Sequence, residues 1–449
     1  MRETLVKTEE FKDSPVGRIP KNWQVVKLLD HVSLPNGQLD PNQKPYCDWI
    51  LIAPDHIESE TGRLLNPQTA AEQNAISGKY GFQPGDVLYS KIRPYLRKAV
   101  LADREGLCSA DMYPLRPGST IVPRFLLAVI LGEDFSRFAT AVSMRSGFPK
   151  LNREELGEYW LALPPYEEQK RIGEILDTVD KTIAHTSSLI AKLKLMKAGL
   201  LHDLLTRGLD ENGELRDAMG YSQHFKDSPL GRIPKDWETP TFEEVTVDDS
   251  PICYGIVQPG SHVESGVPVI AIQNLNTDYR TNIHKSAQAI ESRYVRSRVC
   301  SNDLLLSVKG TIGRVGIVPS WFIGNISRDV ARIRLKSLAS PQYVRQMLLA
   351  PSSQKRLEQA VVGTTRAEIS IGILRKLRLP LPSLPEQELI ADVLNVHDTR
   401  IRTEEAYRDK LKLQKQGLMH DLLTGKVRVN DADKSSFKRI ISAHRTDDY

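Results

Sequence analysis

The chain has 449 residues, 40% of them hydrophobic and 26% charged, enough for two or three domains that each bury a core. Its formal charge of +5 is compatible with a polyanionic partner but too small to identify one. Cys47, Cys108, Cys253 and Cys300 show neither CxxC pairing nor zinc spacing, the start of the chain has no apolar leader, and no 18-residue apolar run occurs. Reduced thiols in a cytoplasm are therefore expected, and secreted, membrane-spanning and structural-zinc proteins are set aside.

In chain order, the first readable element is Phe11 to Trp23 (FKDSPVGRIPKNW), which returns as Phe225 to Trp237 with 11 identities in 13 at an offset of 214. Its closing Trp reads as a packing anchor. Strand signals follow, each with a second copy. Val87-Leu88-Tyr89-Ser90 answers to Leu304-Leu305-Leu306-Ser307, Lys98 to Leu101 answers to Val315 to Val318, and Met112 to Leu115 answers to Val330 to Ile333. In this alignment Asp86, Ser90 and Arg97 match Asp303, Ser307 and Arg314 at an offset of 217, and Ser109-Ala110-Asp111 matches Ser327-Arg328-Asp329 at 218. Pro123 and Pro341 each open a helix at its first turn, where the missing N–H costs nothing. An offset that drifts by only four residues, over a span far longer than a solenoid unit, means a duplicated α+β domain.

Beyond Pro164 and Pro382 the pattern changes. Ile172, Leu176, Val179, Ile183, Thr186, Ile190, Leu193, Lys197, Leu200 and Leu204 step by four and three, a coiled-coil seam on a helix roughly 55 Å long. The second copy keeps Ile390, Leu394, Ile401, Leu411, Leu418 and Leu422 but places His397, Glu404, Arg408 and Lys415 on the same seam, so it should pack on its sister helix. Gly208 and Gly425 suit the C-terminal caps. The expected layout is a globular domain over 1–164, a helix over 165–208, a linker with the second domain over 209–382, a second helix over 383–425 and a loose tail over 426–449.

No catalytic constellation emerges. Leu163-Pro164-Pro165-Tyr166 imitates the tetrad of amino-group DNA methyltransferases, but leucine cannot accept a hydrogen bond from the target amine, and the second copy reads Leu381-Pro382-Ser383-Leu384. The glycines at 310, 313 and 316 have the wrong spacing for a dinucleotide fingerprint. His202-Asp203 and His420-Asp421 recur without the further ligands of a metal shell. Glu168-Gln169-Lys170 lacks the upstream carboxylate of a nuclease.

What does recur is a basic loop after each strand that ends in serine: Ser90-Lys91-Ile92-Arg93-Pro94-Tyr95-Leu96-Arg97 and Ser307-Val308-Lys309-Gly310-Thr311-Ile312-Gly313-Arg314. Cations beside hydroxyl and aromatic groups suit phosphate and base-edge contacts. Ser90, Lys91, Arg93, Tyr95, Arg97, Lys309, Thr311 and Arg314 are the candidate DNA contacts; Arg145, Gln273, Asn274, Arg328 and Arg366 are weaker ones.

With these motifs in chain order, from the two GRIPK(N/D)W segments through LYSKIRPYL, LSVKGTIG and ISRDVA to the two HDLLT helix ends, the chain resembles the specificity (HsdS) subunit of type I restriction–modification systems. The resemblance implies two target-recognition domains in a pseudo-twofold arrangement, joined by two long antiparallel coiled-coil helices that set the distance between the halves. It also implies a cytoplasmic prokaryotic assembly on double-stranded DNA with two methyltransferase subunits and optional restriction subunits, with no role at a membrane. Those subunits would hold S-adenosylmethionine, ATP and Mg²⁺, leaving this chain without a cofactor. Two unlike copies should read two unlike half-sites, because a rigidly joined pair of readers binds half-sites as a dimer does.

Overall fold

The computed structural model describes residues 11–144, 149–217, 222–275, 279–361 and 367–429. It divides into two compact units, one of residues 1–187 with 406–449 and one of 188–405. Each unit therefore combines one globular region with part of both long helices, which span Tyr166–Thr206 and Leu384–Leu423.

Both units are built on the same two sheets. In the first, the strand Val87–Ser90 lies between Ala99–Leu101 and Met112–Pro117, all antiparallel. In the second, Leu304–Ser307 lies between Val315–Ile317 and Val330–Ile333 in the same sense. The other sheet centres on a parallel pair. Leu51 and Ile52 face Leu107 and Cys108 in one unit, and Val269 and Ile270 face Asn325 and Ile326 in the other, every partner displaced by 218. Parallel pairing needs a long crossover, so finding it twice at one offset is strong support for duplication.

Packing and polar contacts are duplicated as well. Asp86, buried, takes a bidentate contact from Arg116 at 3.0 and 2.8 Å, and Asp303 takes the same from Arg334 at 2.7 and 2.8 Å. Gln169 and Gln387 are buried at the starts of the long helices and stitch each to the loop that leads into an earlier helix, Pro123–Leu131 or Pro341–Leu349. Gln169 accepts from Val122 N at 2.9 Å and donates to the Thr120 and Pro164 carbonyls; Gln387 accepts from Ser340 N at 2.8 Å and donates to those of Leu338 and Pro382. A buried amide left unpaired would cost about 1–3 kcal/mol, which explains why the same residue serves both positions.

Trp23 and Trp237 are fully buried, and each indole donates to a carboxylate, Glu168 at 3.0 Å and Glu386 at 3.2 Å. The carboxylates are held from the other side by arginines that follow the end of the opposite long helix. Arg428, beyond the second helix, grips Glu168 at 2.7 and 2.9 Å, and Arg216, beyond the first, grips Glu386 at 2.7 and 3.1 Å. Gly208 and Gly425 make these turns with φ of +68° and +69°. A Cβ at Gly208 would meet Trp237 and Glu386, and one at Gly425 would meet Pro20, so the glycines are required for close approach as well as for conformation.

The segment after the first helix, expected as a linker, is docked. Leu209 is buried, its N–H donates to Glu386 at 2.8 Å, and Arg216 clamps the same carboxylate.

Along the helices, the seam residues are buried or half-buried throughout the described stretch, Thr186 included. Within the first unit, Lys415 pairs with Asp180; within the second, Lys197 pairs with Asp398 and Lys194 with Glu405 at 2.6 Å. Index falling on one helix as it rises on the other marks an antiparallel pairing. The two seam lysines are equivalent residues with equivalent aspartates, which is why polar residues interrupt the pattern there. Burial raises the Asp180 carboxyl above its usual range, partly offset by Lys415; at Asp398 burial is the largest single influence, but hydrogen bonds from Gln346 and Lys197 with the charges of Lys197 and Arg345 together hold the carboxyl below its usual range.

Candidate nucleic-acid interface

The two basic loops occupy equivalent places, and the structure corrects their alignment. Ser90 N donates to Lys98 O, but Ser307 N donates to Arg314 O, so the second loop is one residue shorter. Ala99 and Val315 then face Tyr89 and Leu306, an offset of 216 for that strand. Arg314 therefore corresponds to Lys98, and Arg97 corresponds to Gly313. The backbone agrees: Arg93 and Arg97 have φ of +49° and +48°, and their counterparts Gly310 and Gly313 have +69° and +89°. The first unit places arginine at two left-handed positions that the second fills with glycine.

Each loop is buttressed by a second segment. Ile92 bridges to Lys150, Arg93 N donates to Pro149 O, and Leu151 N donates to Lys91 O at 2.8 Å. In the other unit Lys309 bridges to Glu368, Gly310 N donates to Ala367 O, and Ile369 N donates to Val308 O at 2.9 Å. Arg145 and Arg366, which precede these segments, lie outside the described residues.

The candidate side chains separate into two groups. Arg93, Tyr95, Gln273, Thr311 and Arg314 are exposed, Tyr95 at 51%. Lys309 pairs with Glu368 at 2.8 Å and stands 5.2 Å from the centre of the Tyr254 ring, and Arg328 is half-buried against Asp329. Others turn inward. Ser90 is buried and donates to Ile92 O at 3.0 Å, Arg97 donates to the carbonyl of Leu131 and so ends the helix Pro123–Leu131, and Asn274 is buried with its Oδ1 accepting from Ala271 N at 3.0 Å. These three belong to the fold, and the proposed interface omits them. The glycines differ too: a Cβ at Gly310 would meet Ile272 only at an ordinary 3.9 Å, whereas Gly313 is packed against Gln354, whose amide donates to its carbonyl at 3.0 Å.

Sequence reading missed Tyr113, Tyr254, Lys150, Arg153 and Glu368 around these loops. Lys150 and Glu368 stand at one offset from each other, which was the available signal; the tyrosines come from other strands and left none. Among the described residues, no three His, Cys, Asp or Glu side chains gather as a metal site would need, and no helix is long and apolar enough to cross a membrane.

Comparison with known proteins agrees with this duplicated arrangement. The profile of the type I restriction modification DNA specificity domain matches residues 20–195 and again 261–413. The type I restriction enzyme MjaVIII specificity subunit of Methanocaldococcus jannaschii is 25% identical over 95% of this chain and 97% of its own length. Two solved structures share the fold at a TM-score of 0.55. One is a chain from work on complex assembly and conformational transition of the type I R-M system, 20% identical over 91% of this chain and 99% of its own. The other is the type I restriction-modification S subunit from M. genitalium, 13% identical over 90% of this chain and 96% of its own. With the family profile matched in both halves, the chain belongs to the type I restriction–modification specificity subunits, which give such systems their DNA sequence specificity.

Proposed function

We propose that this chain is a non-catalytic reader in which each unit recognises one half of an asymmetric, split DNA target through its basic loop. The observation that carries the reading is the pair of equivalent loops with unlike contents: a duplicated frame presents Arg93 and Tyr95 on one side and Lys309, Thr311 and Arg314 on the other. Equivalent placement favours two readers, and different side chains favour two different half-sites. The helices of 41 and 40 residues that run from one unit into the other would fix the spacer and dock two methyltransferase subunits. S-adenosylmethionine, ATP and Mg²⁺ would then belong to the methyltransferase and restriction subunits, in the cytoplasm of a prokaryotic cell.

Incubating the purified chain with labelled S-adenosylmethionine and target DNA, with and without its methyltransferase subunit, tests the division of labour. Adenine methylation is expected only in the mixture. Transfer by the chain alone would overturn the reading.

A further inference from the structure

One cluster in the first unit is not required by the fold, because the second unit builds the same fold without it. Lys91 is only 8% exposed, and its N–H donates to the Asp111 carbonyl just as Val308 N donates to that of Asp329. The second unit thus fills this position with a fully buried valine. Tyr113 faces Tyr89 where Ala331 faces Leu306. Lys150 stands where the second unit has Glu368. Arg153 follows the helix cap Asn152, and its counterpart is Ile371 after the cap Ser370. Four apolar or acidic residues, Val308, Ala331, Glu368 and Ile371, replace Lys91, Tyr113, Lys150 and Arg153.

Among the described residues, no direct ion pair offsets the cluster in the first unit. The Lys91 ammonium stands 5.0 Å from the centre of the Tyr113 ring, and among the described residues no carboxylate lies within ion-pair distance of it. Burial pushes its affinity for a proton down, and the charges of Lys150 and Arg153 push it further, with exposed Asp111 opposing them. Arg153 is held in place by Asn36 Oδ1 at 2.9 Å and Pro35 O at 3.3 Å, both neutral acceptors. A buried ammonium facing like charges is a cost that an apolar residue would remove. Such a site gains its compensation when an anion arrives.

We propose that Lys91, Lys150 and Arg153 seat a backbone phosphate of the half-site read by the first unit, and that the second unit lacks this seat. The proposal rests on the DNA-reading function above and adds a division to it: the first unit supplies the larger electrostatic grip. Lys309, already neutralised by Glu368, contributes less. A phosphate contact carries no sequence information, so the seat fixes register and leaves base choice to other groups.

The test is a salt series of duplex binding by the full chain in its DNA-binding assembly, for wild type, Lys91→Met and Lys150→Gln. Both variants should weaken binding to target and unrelated duplexes alike and flatten the slope of log K against log salt by about 0.9 for each phosphate no longer neutralised. Lys91→Met should also melt no lower than wild type, as Val308 indicates. Replacing single phosphates by neutral methylphosphonates should locate one position in one half-site whose removal adds nothing to Lys91→Met. Unchanged slopes with normal wild-type binding would overturn the seat and leave the DNA-reading function intact. Selective weakening on the target over unrelated DNA would make these residues base readers and also overturn it. If Lys91→Met fails to fold, the exposed Lys150→Gln must still flatten the slope for the proposal to survive. Wild type binding no duplex at all would overturn both.

Discussion

At the scale of single residues, the first reading loop holds two arginines in a conformation that L side chains avoid. A left-handed backbone costs a non-glycine residue roughly 1–2 kcal/mol, and the equivalent positions in the second unit are glycine. For Arg97 the side chain justifies the cost, since it closes a helix by donating to the Leu131 carbonyl. Arg93 is exposed and makes no such contact, so its justification lies outside the fold. Arg93→Gly should raise stability by about 1 kcal/mol in a denaturant melt while weakening DNA binding; an increase in both would remove Arg93 from the interface. Little of this was legible in the sequence. Arg97 and Arg314 look like partners at a constant offset, and only the backbone ladder shows that the second loop is a residue shorter between them. The Trp–Glu–Arg clasps were equally hidden, because Glu168 is 145 residues from Trp23 and 260 from Arg428.

At the scale of elements, the two long helices were the most readable part of the chain. A seam sustained over ten positions leaves few alternatives to a paired helix, and the structure has helices over Tyr166–Thr206 and Leu384–Leu423. The exceptions on the seam are where pattern alone falls short. Lys197 and Lys415 read as defects, yet each finds its aspartate on the sister helix, in a contact set by antiparallel pairing that periodicity cannot supply. Lys415→Glu should therefore lower the melting temperature, and adding Asp180→Lys should restore part of it, with a coupling of about 0.5–3 kcal/mol. Additive effects in the double variant would show that the pairing contributes nothing. The short strands were predicted where apolar runs met Gly or Pro, and the paired sheets follow from them. The parallel pair of Leu51–Ile52 with Leu107–Cys108 was not anticipated, because its strands are three residues each and lie far apart in sequence.

At the scale of the whole molecule, duplication does most of the explaining. It was visible at once as a repeated 13-residue segment, and the structure extends it to the sheets, the buried glutamines and the clasps on Glu168 and Glu386. What has diverged includes the loops that follow Ser90 and Ser307 and the residues that buttress them. A frame copied faithfully with its presenting surface rewritten is what two recognition problems solved on one scaffold would leave behind. The direct measurement is the map of methylated adenines in DNA from cells that carry this chain with its methyltransferase partner. Two dissimilar half-sites separated by a fixed run of unspecified bases are predicted. A continuous palindrome, or methylation without sequence preference, would contradict the claim that the two units read different DNA.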